Sequence, residues 1–294
     1  MTTRSRPPVV KATTVNALVE GSIDMHAHFA PDSKLERSVD IETLLEGAAD
    51  LKMRGVVLKS KDYPTQPLAY WGKKRFPNID PIGAVCLDHD VGGLNRDAVK
   101  TSGKIGARVV WLPTFSSSSD MVRFGRPPES GISCLDKEGE LSPECVDVLE
   151  EIKRFDMVLA TGHISHDETE AVVAKAVAMG IERIVITHPL TAHKPFKFTI
   201  DDLKRYAAMG CYIEHCLYGL LPRGMVITEG ELAKAIKEIG PEHSIMSTDV
   251  GQIWNPPPAR CMKMYIALML GQGLTPEEVE VMVKTNPARV IGLA

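Results

Sequence analysis

His26 and His28 stand one residue apart in Ile23-Asp24-Met25-His26-Ala27-His28-Phe29, behind an apolar lead-in and ahead of a loop holding Pro31 and Asp32. Successive side chains of a strand alternate faces, so the two imidazoles point the same way. Neutral imidazole is a good ligand for Zn, Mn, Fe, Co or Ni, and two on one face at a strand end make half of a metal site. Further ligand-capable residues close other apolar runs. These are Lys59 with Lys61 two positions on, His163, His188, Glu214 with His215, and Asp249. His26, His28, His163, His188 and Asp249 supply enough donors for one or two divalent ions, provided that the fold gathers them.

The elements that must do so alternate. Apolar, β-rich runs predict strands at 23–29, 55–61, 79–87, 108–114, 157–163, 183–189, 211–216 and 244–249. Helical spacing between them predicts helices at 41–53, 68–75, 95–102, 142–154, 167–179, 200–209 and 230–239, and two more at 258–270 and 276–284. Asp40 reads as an N-cap, Pro143 as a first helical residue, and Gly55, Gly180, Gly210 and Gly240 as stops. Strands alternating with helices imply parallel βαβ units. About eight such units in 294 residues predict an α/β fold, a (β/α)₈ TIM barrel with extra C-terminal helices. A doubly wound open sheet is the alternative, but it would concentrate its site at one switch point, whereas here polar residues close many strands. In a barrel all those strand ends ring one mouth. Residues 1–20 read as an N-terminal extension and 21–294 as a single domain. The stretch 115–140, rich in Ser, Gly and Pro and without periodicity, follows a strand where a lid would sit; a plain surface excursion is the other reading.

The bulk numbers narrow the partners. With 34 basic and 38 acidic residues, a net charge of −4 and no basic stripe, nucleic acid is not expected. No apolar run is long enough to span a membrane, and the first twenty residues lack the apolar core of a signal peptide. The six cysteines show no CxxC and no framework spacing, which predicts free thiols and a cytoplasmic protein. His89, His166, His193 and His243, the loop cations Arg126, Lys194, Lys197 and Arg223, and Gly92-Gly93 read as ordinary surface or turn residues. His193 could reach the mouth, and the loop cations could clamp an anionic substrate. Trp254 and Pro256-Pro257-Pro258, just after Asp249, are expected to wall the pocket.

The pieces Asp24-Met25-His26-Ala27-His28, Gly162-His163, Thr187-His188-Pro189, Ser247-Thr248-Asp249 and the tail Asn286-Pro287-Ala288-Arg289-Val290-Ile291-Gly292-Leu293 resemble the amidohydrolase superfamily of metal-dependent barrel enzymes. Residues 55–61, Val91-Gly92-Gly93-Leu94-Asn95 and Tyr212-Ile213-Glu214-His215-Cys216 look like an uncharacterised branch of it. The resemblance spans essentially the whole chain and implies roles. His26 and His28 would hold the more buried metal, and His163 and His188 a second ion or the substrate. Asp249 would ligate metal and act as general base, with Glu214 or His215 supporting the ligands or touching substrate. Zn is the expected ion, with Mn, Fe, Co or Ni as substitutes. It lowers the pKa of its water from 15.7 to about 7, so a metal-bound hydroxide exists at neutral pH. The implied activity is hydrolysis of an amide, lactone or other ester bond of a small molecule. A metal-dependent decarboxylase or lyase, or a non-catalytic metal-binding barrel, are the rivals, and a homo-oligomer is implied by the family. One departure stands out. Many relatives bridge two metals with a carboxylated lysine on the fourth strand, where this chain has Trp111-Leu112-Pro113-Thr114. Lys59, on the second strand, is the candidate replacement, either as a carbamate bridge or as a plain ammonium that contacts substrate.

Overall fold

A computed structural model describes residues 9–191 and 198–293. His193, Lys194 and Lys197 lie outside the described residues. The strands are β1 (Ile23–His28), β2 (Gly55–Lys59), β3 (Asp80–Ile82), β4 (Ala84–Cys86), β5 (Val109–Trp111), β6 (Val158–Ala160), β7 (Ile184–Ile186), β8 (Tyr212–Cys216) and β9 (Ser244–Ser247). Every paired neighbour is parallel, in the orders β1-β2-β3 and β4-β5-β6-β7-β8-β9. The expected strand at 79–87 is interrupted at Gly83. Its first half pairs with β2 and its second half with β5, so nine segments fill eight positions. The other seam is joined by backbone hydrogen bonds: Asp249 N–H donates to His26 O at 2.8 Å and His28 N–H to Val250 O at 2.9 Å. The result is a (β/α)₈ barrel.

Strand alternation sorts the side chains. Ile23, Met25, Val57, Val109, Trp111, Val158, Val185 and Ile245 fill the barrel interior. Val56, Leu58, Val110, Leu112, Leu159, Ile213 and Met246 face the helical layer. β1 breaks the rule, because its register against β2 shifts between Asp24 and Ala27. Met25 and His26 are consecutive, yet both meet the interior, where His26 lies 5.6 Å from the Trp111 ring. Irregularities of this kind re-aim side chains beside active sites.

The helices are α1 (Ala12–Val19), α2 (Ile41–Asp50), α3 (Gln66–Arg75), α4 (Arg96–Lys104), α5 (Ser118–Arg123), α6 (Pro143–Arg154), α7 (His166–Ala178), α8 (Ile200–Ala208), α9 (Glu229–Ile239), α10 (Pro258–Gly271), α11 (Pro276–Glu280) and α12 (Asn286–Val290). Side chains of Asp40, Asn95, Ser142, Ser165, Thr199, Thr228 and Thr275 each accept a backbone N–H of the helix they open. Helix α1, within the expected extension, buries Val15, Leu18 and Val19 in the same core cluster as Tyr265 and Met269 of α10. The expected helix at 276–284 becomes α11, a wide π turn at Val281–Thr285, and α12. Pro287 has no N–H to return to Val283, which favours the widened turn. Ala288, Val290 and Ile291 of this last segment pack with the interior residues. The segment 115–140 is folded. Ser117 caps α5, and the chain bridges back at Ser117–Ile132 and Leu135–Leu141. Six helical residues are too few to show a period in sequence. All six cysteines are free and buried. Among the described residues no helix is long and apolar enough to cross a membrane.

Candidate active site

Two residues set the backbone around the expected ligands. Gly162 (φ 62°) lies so close to the neighbouring strand end that a Cβ would stand 2.3 Å from Leu112 O; only glycine fits ahead of His163. Gly251 (φ 144°) would bring a Cβ to 2.1 Å from His28 O. His188 (φ 27°) and Asp249 (φ 53°) also hold positive φ, a strained conformation that accumulates at functional sites.

The strand ends converge. Asp249 Oδ1 lies 3.2 Å from His26 Nε2 and 3.1 Å from His28 Nε2, and Asp249 Oδ2 lies 4.0 Å from His188 Nε2. His163 Nε2 and His188 Nε2 face each other at 3.2 Å. Lys59 Nζ is 3.0 Å from His26 Nε2 and lies over the Trp111 ring, 4.8 Å from its centroid. His26, His28, Lys59 and His188 are all buried. The six residues expected to hold metal are therefore brought together. Of the adjacent pair on β8, Glu214 joins them and His215 does not. Glu214 places its carboxylate 3.2 and 3.3 Å from His26 Nδ1. His215 faces the helical layer, with Nε2 on Ser244 Oγ at 3.2 Å.

Carboxylates fix how the histidines present themselves. A carboxylate accepts only from a protonated nitrogen, so with an ion at Nε2 Glu214 would hold the His26 proton on Nδ1. Asp120, on α5, would do the same for His163, with Oδ2 at 2.8 Å from Nδ1. Both Nε2 atoms face the cluster. Sequence reasoning missed Asp120. A short helix inside a Ser- and Gly-rich stretch carried no signal beyond that stretch's position after a strand. The Nδ1 atoms of His28 and His188 are buried with no partner among the described residues.

The electrostatics suit a cation. Burial, then the charges of Arg37 and Lys61, hold His28 well below its ordinary value. Burial and His163 bring His188 down to about 3. Both are neutral at physiological pH. For His26, burial and Lys59 act downward, but Asp249 and Glu214 outweigh them and its pKa ends raised. Burial acts to raise the carboxyl groups of Asp249 and Glu214. The surrounding imidazoles, His26 foremost, overcome it, leaving Asp249 well below the usual range and Glu214 at about 2. Behind them, Asp24 accepts the Thr248 hydroxyl at 2.5 Å and the N–H groups of Thr248 and His26 at 3.0 and 3.1 Å. That network ties the first and last strands directly under the ligands. The residues present fit a divalent ion: His26, His28 and Asp249 offer one ligand atom each, all within 4.8 Å of one another, and with imidazole and carboxylate donors.

A pocket of about 130 Å³ opens onto this cluster. His28, His188 and Asp249 line it, with Phe115, Tyr218 and Gln252 as walls. Trp254, expected as a wall, is 39% exposed instead and lies under the Arg223 guanidinium, 4.5 Å away.

Solved structures share the architecture. An amidohydrolase from Pseudomonas aeruginosa superposes with a TM-score of 0.66 at 12% identity, over 96% of this chain and 98% of that one. The probable dipeptidase PvdM from the same organism gives 0.68 at 12% identity, over 95% and 97%. A 2,6-dihydroxybenzoate decarboxylase from Rhizobium gives 0.56 at 12%, over 93% and 99%. At these identities the likeness establishes the amidohydrolase-type barrel fold. No curated protein matches the sequence. A family model does, over residues 21–214, roughly two thirds of the chain, which takes in β1 to β7 and β8 as far as Glu214; the protein belongs to the family of unknown function DUF6282.

Proposed function

We propose that the protein is a divalent-metal-dependent hydrolase of the amidohydrolase type, acting on an amide, lactone or other ester bond of a small molecule. The observation that carries this reading is the convergence of His26 Nε2 and His28 Nε2 on one oxygen of Asp249, with the His163–His188 pair alongside. His26, His28 and Asp249 would hold the first ion, and His163 and His188 a second. Zinc is the ion we assign, since neutral imidazoles and a carboxylate at buried positions suit it. When bound, it would polarise the scissile carbonyl and activate water at neutral pH.

The chain's own residues do the rest. Asp249, ionised at neutral pH and open to the pocket, accepts the proton of the attacking water. Glu214 and Asp120 hold His26 and His163 in their ligating tautomers. Lys59, buried beside His26 Nε2 and over the Trp111 ring, would join as a carbamate, since the fourth-strand run Trp111-Leu112-Pro113-Thr114 holds no lysine.

Among the solved neighbours a probable dipeptidase and a probable 2-pyrone-4,6-dicarboxylic acid hydrolase are named as hydrolases. The test is a panel of esters, lactones, amides and carboxylic acids run in ¹⁸O-labelled water, with metal-loaded and chelator-treated protein. Metal-dependent turnover with one solvent oxygen in the product supports the reading. Turnover that releases carbon dioxide without solvent oxygen replaces it with the decarboxylase reading.

A further inference from the structure

The pocket holds more positive charge than the metal site uses. Arg37, in the loop after β1, and Lys61, just beyond β2, line it beside His28 and Asp249. Arg37 is 7% exposed and Lys61 2%. Both lean on one carboxylate. Arg37 donates Nε and Nη2 to Asp32 Oδ2 at 2.9 and 2.5 Å, and Lys61 Nζ reaches the same oxygen at 3.4 Å. The other oxygen of Asp32 is occupied by the N–H groups of Lys34 and Leu35 at 2.8 and 2.9 Å. Among the described residues Asp32 is the one carboxylate within 4.0 Å of either cation, so two buried cations share a single saturated anion. Donors are left over as well. Arg37 Nη1 is buried with no partner among the described residues. Among the described residues the Lys61 ammonium has one long contact, to Asp32, and a face on the Phe115 ring, 4.5 Å from its centroid. A buried, under-bonded cation is costly unless something else completes it.

The neighbouring cations differ. Arg123 also lines the pocket, but Asp120 answers it with both oxygens, at 2.9 and 2.6 Å. Lys59 faces His26 and the carboxylates around it. Arg37 is also held in place at the backbone, bridged to Gln252 in the adjacent loop after β9. The surplus is therefore local, preorganised and next to His28.

We propose that Arg37 and Lys61 form a carboxylate-binding subsite, and that the substrate cleaved beside His28 and Asp249 carries a carboxylate group. The second half rests on the hydrolase reading above; the first does not. Two cations that share one carboxylate match a further monovalent carboxylate rather than a phosphate dianion. The planar guanidinium fork suits two carboxylate oxygens.

The test is calorimetric titration of the full-length protein, both metal-loaded and chelator-treated, with benzoate, its neutral isostere benzamide, and inorganic phosphate. In chelator-treated protein, where no ion competes for the anion, benzoate should bind at least tenfold more tightly than benzamide and more tightly than phosphate. Lys61→Met should weaken benzoate at least tenfold, and Lys61→Arg should restore most of it. Arg37→Lys, which keeps the charge but loses the fork, should weaken it severalfold and serves if Lys61→Met fails to fold by circular dichroism. Equal binding of benzoate and benzamide, an unchanged benzoate affinity in the folded variants, or phosphate as the tighter ligand would overturn the subsite. Benzoate binding by a protein that never takes up metal would keep the subsite and remove the hydrolase reading.

Discussion

Replacing Glu214 by glutamine isolates what a buried carboxylate does for a metal ligand. The side chain keeps its volume and loses its charge. At 3.2 Å, a full charge pair with His26 in an effective dielectric near 20 amounts to about 5 kcal/mol. That figure applies to an imidazolium. A ligating histidine is neutral, so what remains is a hydrogen bond to a charged group, about 1.5–3 kcal/mol. The glutamine amide also offers N–H where Glu214 offers only oxygen, and can turn the imidazole to the wrong tautomer. Carboxylates behind metal-bound histidines typically govern about 10–100-fold of affinity, or roughly 1.4–2.7 kcal/mol. The two ranges overlap, and Glu214→Gln should weaken zinc binding by that 10–100-fold. Glu214 also helps to raise His26. Its loss therefore lowers proton competition at the site, which opposes the effect at acid pH; the comparison belongs at about pH 8, where that competition is small. Competition titration against a chromophoric chelator reads the affinity, and circular dichroism checks the fold. An affinity within twofold of the parent in a folded Glu214→Gln protein would refute the orienting role.

Other substitutions separate neighbouring roles. His215→Leu, one residue away but facing the helical layer, should leave metal content unchanged by elemental analysis; a loss comparable to that of Glu214→Gln would contradict the alternation along β8. Asp249→Asn should lower turnover about 10²–10⁴-fold once a substrate is known, because the proton acceptor is gone; near-parental turnover would remove that role. Lys59→Ala should lower both metal content and activity, and short carboxylic acids should restore both by standing in for the carbamate. A variant with its full metal complement and no response to added acid would show that Lys59 is not a ligand.

The strand ends are legible because the apolar runs stop at polar residues and most are followed by a helical period, with Asp40 a recognisable cap for the first. That places His26, His28, Lys59, His163, His188 and Asp249 at one mouth from the sequence alone. The side each residue faces was less legible. Glu214 and His215 entered the expectation together, although a period of two can send only one of them inward. The shift in β1 that turns both Met25 and His26 inward has no composition of its own, since it arises from pairing with β2. Asp120 was hidden because its partner His163 lies 43 residues away in sequence and the helix that carries it is six residues long. The Arg37–Lys61–Asp32 cluster was hidden in the same way. Its members come from two loops that meet only when β1 and β2 pair, although Lys61 was visible as the same-face neighbour of Lys59.

The central claim is that this mouth holds metal, and elemental analysis of the purified full-length protein tests it most directly. Grown with added zinc and dialysed, the parent should retain at least one divalent ion per chain. His26→Ala and His28→Ala should each retain far less, with circular dichroism unchanged because the barrel interior packs independently of its mouth. A parent protein that binds no divalent metal under these conditions, or histidine variants that bind as much as the parent, would contradict the account.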